Sequence, residues 1–129
     1  MDTLIRKFTE QQTWAVVGVS TNPDKYGHKI LLDLDAAGYH VYGINIRGGQ
    51  VKGHELYRSL ADLPVKPQVV DIVVPPAQTI HIVRECARLG LLQVWMQPGA
   101  ESEQAIQFCH ENGIEVVHGA CAMIRKRNW

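Results

Sequence analysis

The chain is poor in the features that mark several common classes of protein. Cysteine occurs three times, at Cys86, Cys109 and Cys121, an odd number without C-x-x-C spacing. That argues against a disulfide framework and against a zinc site. Neither charge is in excess: thirteen basic side chains balance thirteen acidic ones, so nothing advertises nucleic acid or an anionic membrane as a partner. No apolar run approaches the roughly 18 residues that a membrane-spanning helix needs. The opening segment, residues 1–7, lacks the apolar core of a secretory signal, which points to a cytoplasmic protein. The six histidines show neither H-E-x-x-H nor H-x-H spacing, so no metal is expected. There is no G-x-S-x-G elbow or other nucleophile–base signature, and catalysis is not expected either.

What is present suffices for one domain. The 129 residues are 46% hydrophobic and 20% charged, enough to bury a core and keep a solvated surface. Apolar runs rich in β-branched and aromatic residues recur at 14–19, 40–44, 69–74, 91–96 and 114–117, and each predicts a buried strand. Between them lie segments with helical spacing: Ile30, Leu31, Leu34 and Ala37; Ile80, Val83 and Ala87; Ala105, Ile106 and Cys109. Gly38, Gly90 and Gly113 each stand just before a strand, where glycine ends a helix in the left-handed conformation. Pro75-Pro76 opens the second helix, and Glu101 and Glu103 suit the start of the third. Cys86 and Cys109 fall on packing faces and are expected in the core.

Strand–helix alternation at this spacing implies parallel pairing with right-handed crossovers. The predicted fold is therefore α/β, a doubly wound, Rossmann-like parallel sheet in a single domain, 1–129. Residues 47–68 break the pattern and predict a glycine-rich loop, a short edge strand near 55–57 and a turn of helix at 59–62. In such a sheet a ligand sits beyond the carboxyl ends of the strands, where strand order reverses. The loops concerned are 18–28, 45–50, 74–78 and 96–101. The first offers Gly18, Val19, Ser20, Thr21, Asn22 and Lys25 for contact with a phosphorylated ligand, together with a helix N-terminus. It is not a G-x-G-x-x-G fingerprint, because Ser20 and Pro23 replace the second and third glycines. The second strand ends in Asn45, not in the acidic residue that binds the ribose in NAD proteins. Arg47 follows, a group suited to a phosphate but equally suited to a solvated loop. Cys121, after the last strand, is a candidate to line the site.

These stretches carry a resemblance: residues 16–23, 39–45, 47–49 with 59–64, 71–76 and 94–99, in that order. In them the chain resembles the small stand-alone CoA-binding proteins, which are similar to the N-terminal CoA-binding domain of the succinyl-CoA synthetase alpha subunit. The resemblance spans about residues 10–124 and implies strand order 3-2-1-4-5-6. It implies phosphate contacts at Gly18, Val19, Ser20, Thr21 and Asn22, and an Arg47 facing the nucleotide end where the synthetase has a lysine. It implies an opposite wall built from Pro75, Pro76, Met96, Gln97, Pro98 and Gly99. The chain departs from the synthetase in having Pro98 where a glutamate stands and His118-Gly119-Ala120 where an aspartate-containing stretch stands. It also lacks the second domain that carries the phosphorylated histidine, so ligase chemistry does not follow. The implied function is non-catalytic binding of coenzyme A or an acyl-CoA. Two alternatives remain: an NAD(P)-binding redox sensor, and the CoA-binding subunit of a split acyl-CoA ligase. A homo-oligomer is compatible with all three.

Overall fold

The computed structural model describes residues 1–129. Seven strands form one sheet: β1 (Thr13–Val17), β2 (His40–Ile44), β3 (Gln50–Val51), β4 (His54–Tyr57), β5 (Val69–Ile72), β6 (Gln93–Met96) and β7 (Glu115–Val117). Their spatial order is β3-β4-β2-β1-β5-β6-β7. Every pairing is parallel except that of β3 with β4. Without the two-residue β3 this is the predicted order, with the edge strand in third place. The antiparallel β3 was not foreseen. It exists because Lys52 (φ 44°) and Gly53 (φ 85°) both take the left-handed region, the geometry of a two-residue hairpin turn.

Five helices cover the sheet: α1 (Asp2–Thr9), α2 (Tyr26–Ala36), α3 (Pro76–Leu89), α4 (Glu103–Glu111) and α5 (Ala122–Arg125), with a 3-10 turn at Leu60–Asp62. Side chains alternate along each strand and feed two cores. Trp14, Val16, Val69, Trp95 and Val117 pack with Ile30, Leu31 and Leu34 of α2, Ile5 and Phe8 of α1, and Ala122. Ala15, Val17, Val70, Ile72, Val94 and Met96 pack with Ile80 and Val83 of α3 and Ala105 of α4. Cys86 and Cys109 lie in this second core, as their helical spacing predicts. The apolar runs overshoot the strands at their carboxyl ends. Val19, Val73 and Val74 lie beyond the ladder, where they form the floor of a crevice.

Helices α1 and α5 carry no strong sequence signal and were not anticipated. They close one end of the first core around aromatic rings. Trp14 and Trp95 stand 5.6 Å apart, Trp14 and Tyr39 5.6 Å, and Phe8 and Trp95 6.4 Å. Each polar ring atom is satisfied: Trp14 donates to the Gln11 carbonyl, Trp95 to that of Ala120 and Tyr39 to that of Thr9. Such pairing lets these rings be buried without leaving a polar atom stranded.

At the carboxyl end of β1 the backbone is crowded. A Cβ on Gly18, whose φ is 106°, would lie 2.3 Å from the Val73 carbonyl oxygen. A Cβ on Gly27, in the first turn of α2, would lie 2.2 Å from the Gly18 carbonyl oxygen. Alanine is the better helix former by up to about 1 kcal/mol, but a backbone clash of this kind costs about 1–3 kcal/mol and decides the sign. Gly27→Ala is therefore expected to lower the denaturant midpoint with an unchanged slope; an unchanged or raised midpoint would refute the close approach.

Candidate functional site

The loop after β1 is held by its own polar groups. The N–H groups of Gly18 and Val19 both donate to the Ile44 carbonyl, at 3.1 Å each. The buried His28 ring places Nδ1 2.7 Å from the Ser20 carbonyl oxygen. Asn45 Nδ2 donates to the Val19 carbonyl at 2.7 Å, and Asn45 Oδ1 accepts from the Arg47 N–H at 2.8 Å. Ser20 Oγ accepts from the Asn22 N–H and Asn22 Oδ1 from that of Asp24. Asn45 is thus a clamp between the first and second loops. The N–H groups of Gly18 and Val19 are already engaged. The first turn of α2, which no side chain caps, supplies the free donors instead.

Two cavities lie beyond the strand ends, at the switch point between β1 and β5. The larger, about 570 Å³, is floored by Gly18, Val19, Val73 and Val74 and flanked by Asn45, Arg58 and Ser59 on one side. On the other side α3 presents Gln78, His81, Glu85 and Arg88. The smaller, about 280 Å³, shares Val73, Val74 and Pro75 and is bounded by Tyr26, Gln97, Pro98 and Gly99. Together they form a crevice whose larger part carries Arg58, His81 and Arg88 with one carboxylate, Glu85, and whose smaller part has no charged side chain in its lining.

Of the residues proposed from sequence, Gly18, Val19, Ser20, Asn45 and Pro75 line the larger cavity, and Gln97 and Pro98 line the smaller. Thr21, Asn22 and Lys25 are exposed beside the first loop, outside the lining, Lys25 as the N-cap residue of α2. Arg47 is likewise exposed and outside the lining. Met96 is fully buried in the second core: strand alternation turns it under α3 and α4, away from the crevice. Sequence reasoning missed Arg58, His81 and Arg88. The α3 residues were within reach, because positions 78, 81, 85 and 88 repeat at helical spacing and form one polar face.

A second feature adjoins the smaller cavity. The Tyr26 hydroxyl and Cys121 Sγ lie 2.9 Å apart, and Gln97 Nε2 donates to the same sulfur at 3.3 Å. Gln97 is itself fixed, its Oε1 accepting from the Ala122 N–H at 2.9 Å. Burial disfavours a Cys121 thiolate, but the hydrogen bonds of Tyr26 and Gln97, with the neighbouring Met123 and Ile124 N–H groups, outweigh it and hold the thiol below its ordinary range. The bond to Cys121, with burial second, pushes Tyr26 up to about 12. Asp71, on β5, is fully buried, and neither carboxylate oxygen has a hydrogen-bond partner. Burial, with the neighbouring Cys121, raises its acid well above the ordinary carboxylate range.

Comparison with known proteins places this geometry. Residues 12–127 match a family model described as a CoA binding domain. The alpha subunit of an ADP-forming acetate–CoA ligase II of Pyrococcus furiosus is 26% identical over 121 residues, covering 85% of this chain and 26% of the subunit. The corresponding ligase I subunit is 31% identical over 83 residues, or 60% of this chain and 18% of the subunit. The chain thus spans about a quarter or less of these ligase subunits. A conserved hypothetical protein from Pyrococcus furiosus superposes with a TM-score of 0.85 at 37% identity, covering 89% of this chain and 99% of that one. A hypothetical protein from Pyrococcus horikoshii superposes with a TM-score of 0.90 at 30% identity, covering 97% and 89%.

The buried acid has a measurable signature. An acid whose folded-state pKa is raised contributes stability that is complete below its unfolded value, near 3.8, and is lost as pH rises toward the folded value. Unfolding then releases one proton, giving a slope of up to about 1.4 kcal/mol per pH unit. Asp71→Asn is expected to remove this decline above pH 4 in denaturant titrations; an equal slope in wild type and variant would show that Asp71 ionises normally.

Proposed function

This chain belongs to the CoA binding domain family, and we propose from that premise that it holds coenzyme A or an acyl-CoA in the crevice across the switch point, without turnover of its own. The observation that carries the reading is the polarity of the crevice. Arg58, His81 and Arg88 line the larger cavity beside a single carboxylate, Glu85, and uncharged Tyr26, Gln97 and Pro98 bound the smaller. A CoA molecule has the same polarity, a phosphorylated nucleotide at one end and an uncharged pantetheine arm with a thiol at the other. The nucleotide phosphates would meet the guanidinium groups, which form charge-assisted bonds that neutral donors cannot match. The pantetheine arm would cross Val73, Val74 and Pro75 toward Gln97. Gly18, Ser20 and the first turn of α2 would flank its middle. Thr21, Asn22, Lys25 and Arg47 would contribute at the rim, within reach of a ligand that extends past the lining.

The NAD(P) alternative is less well served. Asn45, at the end of β2, spends its side chain bracing two loops, and no carboxylate stands there for the ribose hydroxyls. The split-ligase alternative has specific support, because the relatives of known activity are ligase alpha subunits. On that reading the chain binds CoA in the same crevice and the chemistry belongs to separate chains.

CoA is expected to raise the melting temperature more than NAD at equal concentration, since a ligand bound only by the native state stabilises it. Loss of a charge-assisted bond costs about 1.5–3 kcal/mol, so Arg58→Ala should weaken CoA binding roughly ten- to a hundredfold in calorimetry. Arg47→Ala should change it by less than about threefold, as for a rim charge exposed to solvent. A larger shift with NAD, or an Arg58→Ala variant that binds CoA as wild type does, would count against the reading.

A further inference from the structure

The three cysteines are not equivalent. Cys86 and Cys109 lie in the core under α3 and α4, and burial raises both thiols, Cys109 to about 11. Cys121 stands instead one side chain behind the wall of the smaller cavity. The two groups that touch its sulfur, Tyr26 and Gln97, are themselves lining residues of that cavity. Two side chains bond to this sulfur, the Tyr26 hydroxyl at 2.9 Å and the Gln97 amide at 3.3 Å, and the neighbouring Met123 and Ile124 N–H groups also favour its charged form. Such an arrangement suits a thiolate and has no use for a neutral thiol, which accepts hydrogen bonds weakly.

Asp71 is an independent sign that this cluster serves chemistry. In the ladder it stands between Val16 and Trp95, so its side chain points to the face covered by α2 and α5, the side of Tyr26 and Cys121. Its charge, where present, disfavours the tyrosinate, and a charge on Cys121 disfavours the ionisation of Asp71 in turn. A wholly buried, unpartnered carboxyl costs stability, and a purely structural site would be filled more cheaply by an apolar side chain. Kept neutral, it leaves the one negative charge of the cluster to the sulfur.

We propose that Cys121 captures oxidised coenzyme A by thiol–disulfide exchange, holding one CoA as a mixed disulfide. The proposal rests on the crevice taking CoA with its pantetheine end at Tyr26 and Gln97. The Cys121 thiolate attacks one sulfur of a CoA disulfide, the S–S bond of that disulfide breaks, and a Cys121–S–S–CoA bond forms. The second CoA leaves as a thiolate and takes a proton from solvent. Cys121 and the retained CoA end as the new disulfide, the departing CoA is the reduced product, and no other oxidant is needed. Tyr26, 44% exposed and bonded by its hydroxyl to this sulfur alone, is the cover that swings aside. Gln97, fixed by Ala122, stays. The event is stoichiometric: one capture per chain, reversed by a reducing thiol.

The test is intact-mass spectrometry of the full chain after incubation with CoA disulfide, with glutathione disulfide as comparison. The expected result is a gain of one CoA per chain that dithiothreitol removes and that peptide mapping assigns to Cys121. It should be absent in Cys121→Ser and Cys121→Ala and retained in Cys86→Ser. Binding in the crevice raises the local disulfide concentration, so CoA disulfide should react about tenfold faster or more than glutathione disulfide. Tyr26→Phe, which removes one donor to the thiolate, should slow the CoA reaction several-fold. Reduced CoA binding to the wild type, measured by calorimetry in dithiothreitol, tests the crevice separately. If reduced CoA binds but no adduct forms, or the adduct maps to Cys86 or Cys109, or both disulfides react equally fast, the capture is overturned while the binding reading stands. If reduced CoA does not bind, the binding reading itself fails, and the capture with it.

Discussion

Where β1 ends, three stretches of backbone pass too close together for any side chain to lie between them. The chain turns at Gly18 with φ 106°, its Cα facing the Val73 carbonyl, while the first turn of α2 comes in from the other side at Gly27. Everything above the sheet is arranged around this contact. Because β2 follows β1 on one side and β5 flanks it on the other, the loops after β1 and β5 diverge here, and the divergence is the crevice. Because the loop is pinned by Ile44, Asn45 and His28, the floor is rigid before any ligand arrives. Preorganisation of this kind reduces the ordering cost that binding must overcome.

The parts of the fold that were legible in the sequence are those set by local rules. Apolar runs of four to six residues gave the strands, and their alternation with helical spacing gave the parallel pairing; the order of the sheet came from the family resemblance. Gly38, Gly90 and Gly113 all adopt positive φ where the helices stop. The parts that were not legible depend on contacts between residues far apart in the chain. The short helix α1 has few cues of its own and is stabilised by setting Ile5 and Phe8 against Trp95. Met96 was placed in the crevice wall by the family resemblance, but the period of two assigns it to the core; Pro98 is exposed, and Gln97 reaches the smaller cavity while its side chain stays buried against Cys121. Arg47 was singled out from its place in the glycine-rich loop after β2, and Arg58 was not considered. Which of the two reaches the cleft depends on the register of β4, where Ile44 pairs with Tyr57 and brings Arg58 to the rim.

The Tyr26–Cys121–Gln97–Asp71 cluster shows the same limit more sharply. Its members come from the start of α2, the segment after β7, the end of β6 and the middle of β5, and Tyr26 and Cys121 are 95 positions apart. Asp71 and Gln97 lie in stretches that carry the family resemblance, but nothing in those stretches points to Tyr26 or Cys121. What unites them is topology: a doubly wound sheet brings the carboxyl ends of all its strands to one edge, so side chains remote in sequence meet there by construction. Cys121, marked in the sequence only as a candidate to line the site, acquires a distinct chemistry from Tyr26 and Gln97, supplied by two separate segments.

The β3–β4 hairpin also settles what one side of the sheet can do. A parallel strand left bare at an edge offers a row of N–H and C=O groups on which another chain can pair. Here the Leu56 N–H donates to the Gly49 carbonyl at 2.8 Å, and β3 pairs with Glu55 and His54, so the chain has folded back to occupy that row itself. The opposite edge, β7, is three residues long, about 10 Å of ladder. The sheet therefore has little room to grow by addition of strands. An incoming strand would find only the two residues of β3 on one side and the three of β7 on the other, too short a ladder to hold it.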